Sequence, residues 1–313
     1  MIKISKYNAF FNPHRYDKPL FVNQELQARI KEEGYCVVDL LEEEEIKQLE
    51  AGFQALSQEM QADFGEQFWP SGRSKDPKIR NLAKKHIDNV VPEKLKALLV
   101  DDSFEFIGGT YLIKPPSNIS SLSPHQDSAH TNEFEYFSVY AWIPLQDVNE
   151  KNGAVKVLAK SHQLDIKQRS LNVPWILEEH KEILEKHMQT LEMKAGQALL
   201  FDAALIHSSP PNLSEKIRVA INFYIHPKGH PFTHYYIDQE TPKGKVEAYS
   251  VRPEFYYSED FESKPTDKYP RLEDQDILIT SLTGKEVEQI CKHLTGRTLI
   301  QQVQDFFVKF TNR

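Results

Sequence analysis

Two histidines, a carboxylate and an arginine are the side chains with which this chain could do redox chemistry. His125 and Asp127 stand two apart in Ser123-Pro124-His125-Gln126-Asp127, and His207 and Arg218 follow far downstream. On a strand, residues i and i+2 point the same way. If the segment is extended, His125 and Asp127 therefore both reach one metal ion. A second His from a neighbouring strand closes one face of an octahedron and leaves three positions open. Two His and one carboxylate so arranged favour non-haem Fe(II) used for oxygen chemistry.

The same spacing occurs elsewhere among the twelve His of the chain, where it cannot chelate. His86-Ile87-Asp88 lies in the Lys-rich PKIRNLAKKHIDNV and His180-Lys181-Glu182 in EEHKEILEKH. Both segments read as helix, on which residues two apart diverge by roughly 200°.

The elements that must position the motif read as follows. Residues 1–20 are aromatic and Pro-containing without period, an irregular arm. A helix runs from Asn23 to about Gly34, a short strand over Tyr35–Asp39, and a strong helix from Leu41 to about Gln61. In the last, Ile46, Leu49, Phe53, Leu56 and Met60 recur at three- and four-residue spacing. Carboxylates Glu42–Glu45 sit at its start, opposing the positive end of the dipole. Residues 64–75 read as loop, with helices around 77–89 and 92–100. From Phe104 the texture becomes β, beginning with a long strand to Lys114 that carries a Gly108-Gly109 bend.

Strand faces can be assigned downstream. Val139, Ala141, Ile143 and Leu145 share one face, with Ser138, Tyr140 and Trp142 opposite. Val219, Ile221, Phe223 and Ile225 alternate with Arg218, Ala220, Asn222 and Tyr224. Residues 196–202 and 204–208 form a strand pair or one bent strand carrying His207. One apolar and one functional face per strand suits a β-sandwich packed by helices outside and enclosing a polar pocket. Asn222 and Tyr224, inward on the Arg218 strand, are substrate-contact candidates.

His207 and Arg218 are eleven residues apart with Pro210-Pro211-Asn212-Leu213-Ser214 between them. That reads as a turn between antiparallel strands, placing Arg218 beside His207. Such an Arg could grip the far carboxylate of a dicarboxylate co-substrate, or make an ordinary ion pair. A formal net charge of −8 and no basic run argue against nucleic acid or an anionic membrane as partner. Only Cys36 and Cys291 are present, too few for a disulfide framework. With no signal-like or membrane-spanning run, a cytoplasmic protein is expected. Oligomeric state is not legible.

Three stretches, LIKPPSNISSLSPHQD, VYAWIPLQDVNEKNGAVKVLAKSH and AGQALLFDAALIHSSPPNLSEKIRVAINFY, together resemble the phytanoyl-CoA dioxygenase family of Fe(II)- and 2-oxoglutarate-dependent oxygenases. Order and spacing agree over about residues 104–226. The resemblance implies His125, Asp127 and His207 as iron ligands and Arg218 as the anchor of the 2-oxoglutarate C5 carboxylate. It implies Ser209 as a hydroxyl supporting that carboxylate, Trp142 lining the co-substrate pocket with Tyr140 beside it, and Lys114 contacting co-substrate or substrate. Ala159-Lys160-Ser161-His162 and Lys151-Asn152-Gly153 depart from the family pattern, at positions that are not ligands.

The expectation is an α+β protein with a double-stranded β-helix (jelly-roll, cupin-like) core, flanking N-terminal helices and a helical C-terminal extension. Residues 1–313 form one catalytic domain: arm and buttress 1–103, core 104–226, extension 227–313. Segment 165–193 interrupts the core as a helix or lid. His226, His230 and His234 could form a second metal site. Thr283–Glu286 reads as a capping box opening a helix that Gly296 ends, and a last helix carries Leu299, Val303, Phe306, Phe307 and Phe310. The implied activity is oxidation of a small organic substrate with O₂, Fe(II) and 2-oxoglutarate, hydroxylating a C–H and releasing succinate and CO₂. Desaturation or ring closure is the alternative outcome, and a jelly-roll metalloenzyme without 2-oxoglutarate is the alternative class. Retention of Asp127 speaks against a halogenase.

Overall fold

The computed structural model describes residues 13–60, 64–164, 168–277 and 282–296. The arm before Pro13 and the helix expected around Leu299–Phe310 lie outside them.

Helix α1 (Gln24–Glu33) starts where the Asn23 side chain accepts from the amides of Glu25 and Leu26, and ends at Gly34 with φ of 85°. Strand β1 (Tyr35–Asp39) leads to α2 (Glu43–Glu59), whose Leu49, Phe53 and Leu56 are buried. After the two-residue β2 (Trp69–Pro70) come α3 (Pro77–Asp88), capped by the Asp76 side chain, and α4 (Val91–Lys96). The β-rich part comprises β3 (Phe104–Lys114), β4 (Leu122–His125), β5 (Val139–Pro144) and β6 (Lys156–Val157). Helix α5 (Lys181–His187) and strands β7 (Gln189–Thr190), β8 (Gln197–Asp202), β9 (His207–Ser209) and β10 (Arg218–Pro227) complete it.

Two antiparallel sheets result. The larger has the order β1-β8-β5-β10-β3-β2 and the smaller β4-β9-β6-β7. Alternation decides what each face of the larger sheet touches. Val139, Ala141, Ile143, Val219, Ile221 and Phe223 join α1–α4 in one core. Tyr140, Trp142, Leu199, Phe201, Ala220 and Tyr224 belong to a second cluster on the inner side. The N-terminal helices thus buttress one face and leave the other for the site. Gly108, with φ of 105°, adjoins the register shift opposite Tyr224/Ile225, so the Gly-Gly bend is a bulge.

Three expectations need correction. β1 and β2 lie outside residues 104–226 yet extend the large sheet, because β1 pairs with β8 from Tyr35↔Phe201 to Asp39↔Gln197. Residues 204–208 are not an extension of the preceding strand: a turn after Asp202 carries the chain from the large sheet to the small one. Nor do β9 and β10 form a hairpin. β9 pairs with β4 and β6, whereas Arg218 sits opposite Lys114 on β3. Pro210 and Pro211 have no N–H to continue a ladder, and the Asn212 side chain donates to the carbonyls of Lys114 and Lys216, at 2.9 and 2.8 Å. The connection therefore crosses between sheets.

The extension also departs from a purely helical reading. It opens with β11 (Phe232–Tyr236), β12 (Lys245–Val251), the short α6 (Phe255–Ser258) and β13 (Gln275–Asp276), in a sheet of its own ordered β11-β12-β13. Helix α7 (Gly284–Thr295) then begins at the Thr283–Glu286 capping box and stops at Gly296. No helix of the described residues is long and apolar enough to cross a membrane.

Candidate active site

His125 ends β4 and lies directly opposite His207 on β9. The strand stops there, so Asp127 reaches the same point from the coil that follows and not from a continuing strand. Ligand atoms of the three side chains all lie within 4.8 Å of one another. Asp127 Oδ1 is 3.7 Å from His125 Nε2, and Oδ2 is 3.8 Å from His207 Nε2. Each ring uses its other nitrogen on the backbone: His125 Nδ1 faces Ser123 O at 2.9 Å and His207 Nδ1 faces Leu205 O at 3.0 Å. A carbonyl only accepts, so both rings carry the proton on Nδ1 and turn an Nε2 lone pair inward, as metal-ligating imidazoles require. Burial, with His207 alongside, holds the His125 imidazolium well below its usual range. Burial also pushes the Asp127 carboxyl up, and its Oδ2 has no hydrogen-bond partner. A three-donor N,N,O face with an unpaired buried oxygen fits a divalent transition metal.

Gln126, between the ligands, points the other way. It donates to Ala204 O at 2.5 Å and accepts from Trp175 Nε1 at 2.9 Å, tying the segment after residue 165 to the ligand strand. Asp127 is held by its own carbonyl, which accepts from Arg169 Nε at 2.8 Å. Arg169 in turn makes a two-pronged pair with Glu133, at 2.6 and 2.8 Å.

The triad opens into a cavity of about 800 Å³ that Arg218, Trp142, Tyr140, Ser209, Asn222 and Tyr224 also line. Arg218 is 2% exposed, its guanidinium 5.5 Å from the Trp142 ring centre, and its Nε and Nη1 have no partner. Burial lowers its pKa to about 9. Such a cation requires an anion, and a carboxylate in the cavity is the geometry its fork matches. Asn222 Oδ1 and the Tyr224 hydroxyl are likewise buried without partners. Lys114 does not line the cavity. Its ammonium is fully buried and donates to Ser209 Oγ at 2.6 Å, Ser209 O at 3.2 Å and Pro210 O at 2.6 Å, clamping β9 of one sheet to β3 of the other. Burial, then repulsion from Arg218, pushes its pKa down to about 6.

Residues 30–220 match the family model described as phytanoyl-CoA dioxygenase. The chain belongs to the phytanoyl-CoA dioxygenase family. That membership accords with the enzyme class and with the iron and 2-oxoglutarate expected from the residues. Among curated family relatives, phytanoyl-CoA dioxygenase domain-containing protein 1 of Danio rerio is 24% identical over 157 residues, 48% of this chain and 50% of that protein. Phytanoyl-CoA dioxygenase of Arabidopsis thaliana is 28% identical over 118 residues, 37% of this chain and 42% of that protein. The chain thus spans half or less of the length of these relatives. The solved structure of EctD from S. alaskensis with 2-oxoglutarate and 5-hydroxyectoine superposes with a TM-score of 0.51 at 16% identity, covering 74% of this chain and 86% of that one, which shows the shared jelly-roll fold.

Several cavity residues of this family member carry no local signal in the sequence: Arg73, His130, Arg169, Trp175, Tyr256 and Tyr257. His226, His230 and His234 do not converge on a point. His226 Nε2 faces the His230 carbonyl at 3.0 Å and His234 Nδ1 the Tyr256 hydroxyl at 2.9 Å. Among the described residues His125, Asp127 and His207 are the one group placed to hold a metal.

Proposed function

We propose that the protein is a non-haem iron, 2-oxoglutarate-dependent dioxygenase that hydroxylates an unactivated C–H of a small organic metabolite, releasing succinate and CO₂. The observation that carries this reading is Arg218: a buried guanidinium with two unpartnered nitrogens, sharing a cavity with the His-Asp-His face. A buried, unpaired guanidinium in the cavity with the metal face is what a dicarboxylate co-substrate requires.

Bound Fe(II) and 2-oxoglutarate together supply oxygen activation, with decarboxylation of the co-substrate to succinate. The protein's part is positional. His125, Asp127 and His207 would hold the metal. Arg218, packed on Trp142, would hold the far carboxylate, with the hydroxyl of Ser209, itself fixed by Lys114, available to support it. Asn222 and Tyr224 continue the same strand face towards the substrate. Aromatic walls from the extension, including Phe232, Tyr256 and Phe261, keep water from the reacting centre. Their place in the wall supports reading residues 1–313 as one catalytic domain.

The test is anaerobic addition of 2-oxoglutarate to the Fe(II)-loaded protein, followed by admission of O₂. A visible charge-transfer band and then succinate formation are expected, with a hydroxylated product in step with succinate once a substrate is supplied. Metal binding without any response to 2-oxoglutarate would move the protein to the isomerase-or-hydrolase class. A dehydrogenated or cyclised product would keep the cofactors and replace the outcome.

A further inference from the structure

Four cationic side chains line the cavity, Arg73, Arg169, Lys181 and Arg218, against two carboxylates, Asp127 and Glu178. Three of the four already have an assignment. Arg169 is paired with Glu133 and Lys181 with Glu178, while Arg218 faces the place given above to the co-substrate. Asp127 is committed to the metal. Arg73 is left over: among the described residues it makes no hydrogen bond and no ion pair.

A free arginine on a surface is ordinary, but the turn that presents this one is firmly held. Arg73 closes the one-turn helix Ser71–Arg73 that follows β2. Ser71 is fully buried. Its hydroxyl lies 2.8 Å from Thr110 Oγ1 and accepts from the Tyr111 amide at 2.9 Å. The Gly72 amide donates to Thr110 Oγ1 at 2.6 Å, and the Ser74 carbonyl accepts from Arg80 Nη1 at 2.6 Å. The residues on both sides of Arg73 are thus pinned to β3 and α3, while Arg73 itself is exposed where the cavity meets solvent. Thr110 stands opposite Asn222, four residues along β10 from Arg218. At a rise of about 3.3 Å per residue the two levels are roughly 13 Å apart, so the two guanidinium groups serve different ends of the cavity. Asn222 Oδ1, at the level of the Arg73 turn, is also buried without a partner. The charge of Arg73 is felt at the metal centre, where it adds to the dominant effect of burial at His125 and opposes it at Asp127.

We propose that Arg73 is a substrate-binding residue and that the substrate is a monocarboxylic acid, its carboxylate held by Arg73 at the cavity mouth and its apolar body directed inward to the metal. The inference rests on the oxygenase reading and narrows its small organic metabolite to one class. The planar fork of arginine matches a carboxylate. One negative charge is favoured over a phosphate dianion because a single cation is unpaired, and Glu178 beside Lys181 repels a second charge. The body is uncharged because Phe68, Trp175, Tyr257 and Phe261 supply an aromatic wall.

Proton NMR of small probes with the manganese(II)-loaded protein tests this without knowledge of the natural substrate. Saturating 2-oxoglutarate keeps the probes from Arg218, and relaxation enhancement over a zinc(II) control registers only probe bound near the metal. Cyclohexanecarboxylate should bind about fivefold more tightly than cyclohexanecarboxamide, cyclohexylammonium or cyclohexyl phosphate, the upper range for a part-exposed ion pair. Arg73→Gln should remove that advantage and leave the carboxamide unchanged, and Arg73→Glu should reverse the order of carboxylate and ammonium. Raised salt should weaken the carboxylate alone among the uncharged and anionic cyclohexyl probes that fit the wild-type mouth. Equal binding of the carboxamide or the phosphate, an unchanged carboxylate constant in Arg73→Gln, or no relaxation effect from any probe up to its solubility limit would each overturn the proposal while leaving the oxygenase reading intact. Failure of manganese(II) or 2-oxoglutarate to bind, measured on the same sample, would instead sink the oxygenase reading and the proposal with it.

Discussion

Arg169 and Arg218 both line the cavity and are both nearly inaccessible, at 5% and 2% exposure, yet their surroundings differ completely. Arg169 has acceptors on all three nitrogens: the two oxygens of Glu133 and the carbonyl of Asp127. Burial alone would lower its pKa, but Glu133 outweighs that and raises it. Among the described residues Arg218 has no anionic partner, and burial lowers its pKa to about 9. One guanidinium completes the fold, while the other is proposed to be completed by a ligand. A buried charge is costly until paired, so the pairing state of a buried arginine separates scaffold from site.

The largest expected effect falls on the residue both arrangements serve. Asp127→Ala removes one of three metal donors and should abolish 2-oxoglutarate-dependent turnover with the fold retained by circular dichroism. Substantial residual turnover would show that the triad is wrongly assigned. Next, Arg169→Met leaves Glu133 buried and unpaired, which typically costs about 3–5 kcal/mol. Denaturant unfolding of the metal-free protein should show this, and adding Glu133→Leu should recover most of the loss. Arg218→Met, by contrast, should leave the stability of the metal-free protein unchanged or raise it. Equal destabilisation by the two methionines would erase the distinction.

Ligand protection sharpens it further. With metal bound and 2-oxoglutarate at about 100 times its dissociation constant, the wild type should gain about 2.7 kcal/mol, read as a rise in Tm. Arg218→Met should show little of that gain at the same concentration. The smallest effect belongs to the helical decoy. Asp88, on α3, pairs with Lys84 one turn earlier, and Asp88→Ala should cost at most about 1 kcal/mol without changing turnover.

How much of this was legible in the sequence follows from which contacts are local. Faces of β5 and β10 read correctly because alternation is a property of the strand itself: Val219, Ile221 and Phe223 face the helices while Asn222 and Tyr224 face the cavity. The α1 cap at Asn23 and the capping box at Thr283 are equally local. The route from His207 to Arg218 reads as a hairpin in the sequence, since nothing between them says that the chain changes sheets. The resemblance sets Lys114 against co-substrate or substrate, yet it is tied to Ser209 and Pro210, acceptors far along the chain. Arg169, Tyr256 and His130 act through partners remote in sequence, and no periodicity announces such a pair.

The central claim is that Arg218 binds the far carboxylate of 2-oxoglutarate, and the dependence of turnover on 2-oxoglutarate at saturating Fe(II) tests it most directly. Losing one partner of a buried, hydrogen-bonded charge pair costs about 2–5 kcal/mol. Arg218→Ala should therefore raise the apparent constant for 2-oxoglutarate by roughly 30-fold or more, while iron affinity changes little. Arg218→Lys keeps the charge without the planar fork and should fall between Ala and the wild type. An unchanged constant in Arg218→Ala, or wild-type turnover that needs no 2-oxo acid, would contradict the account.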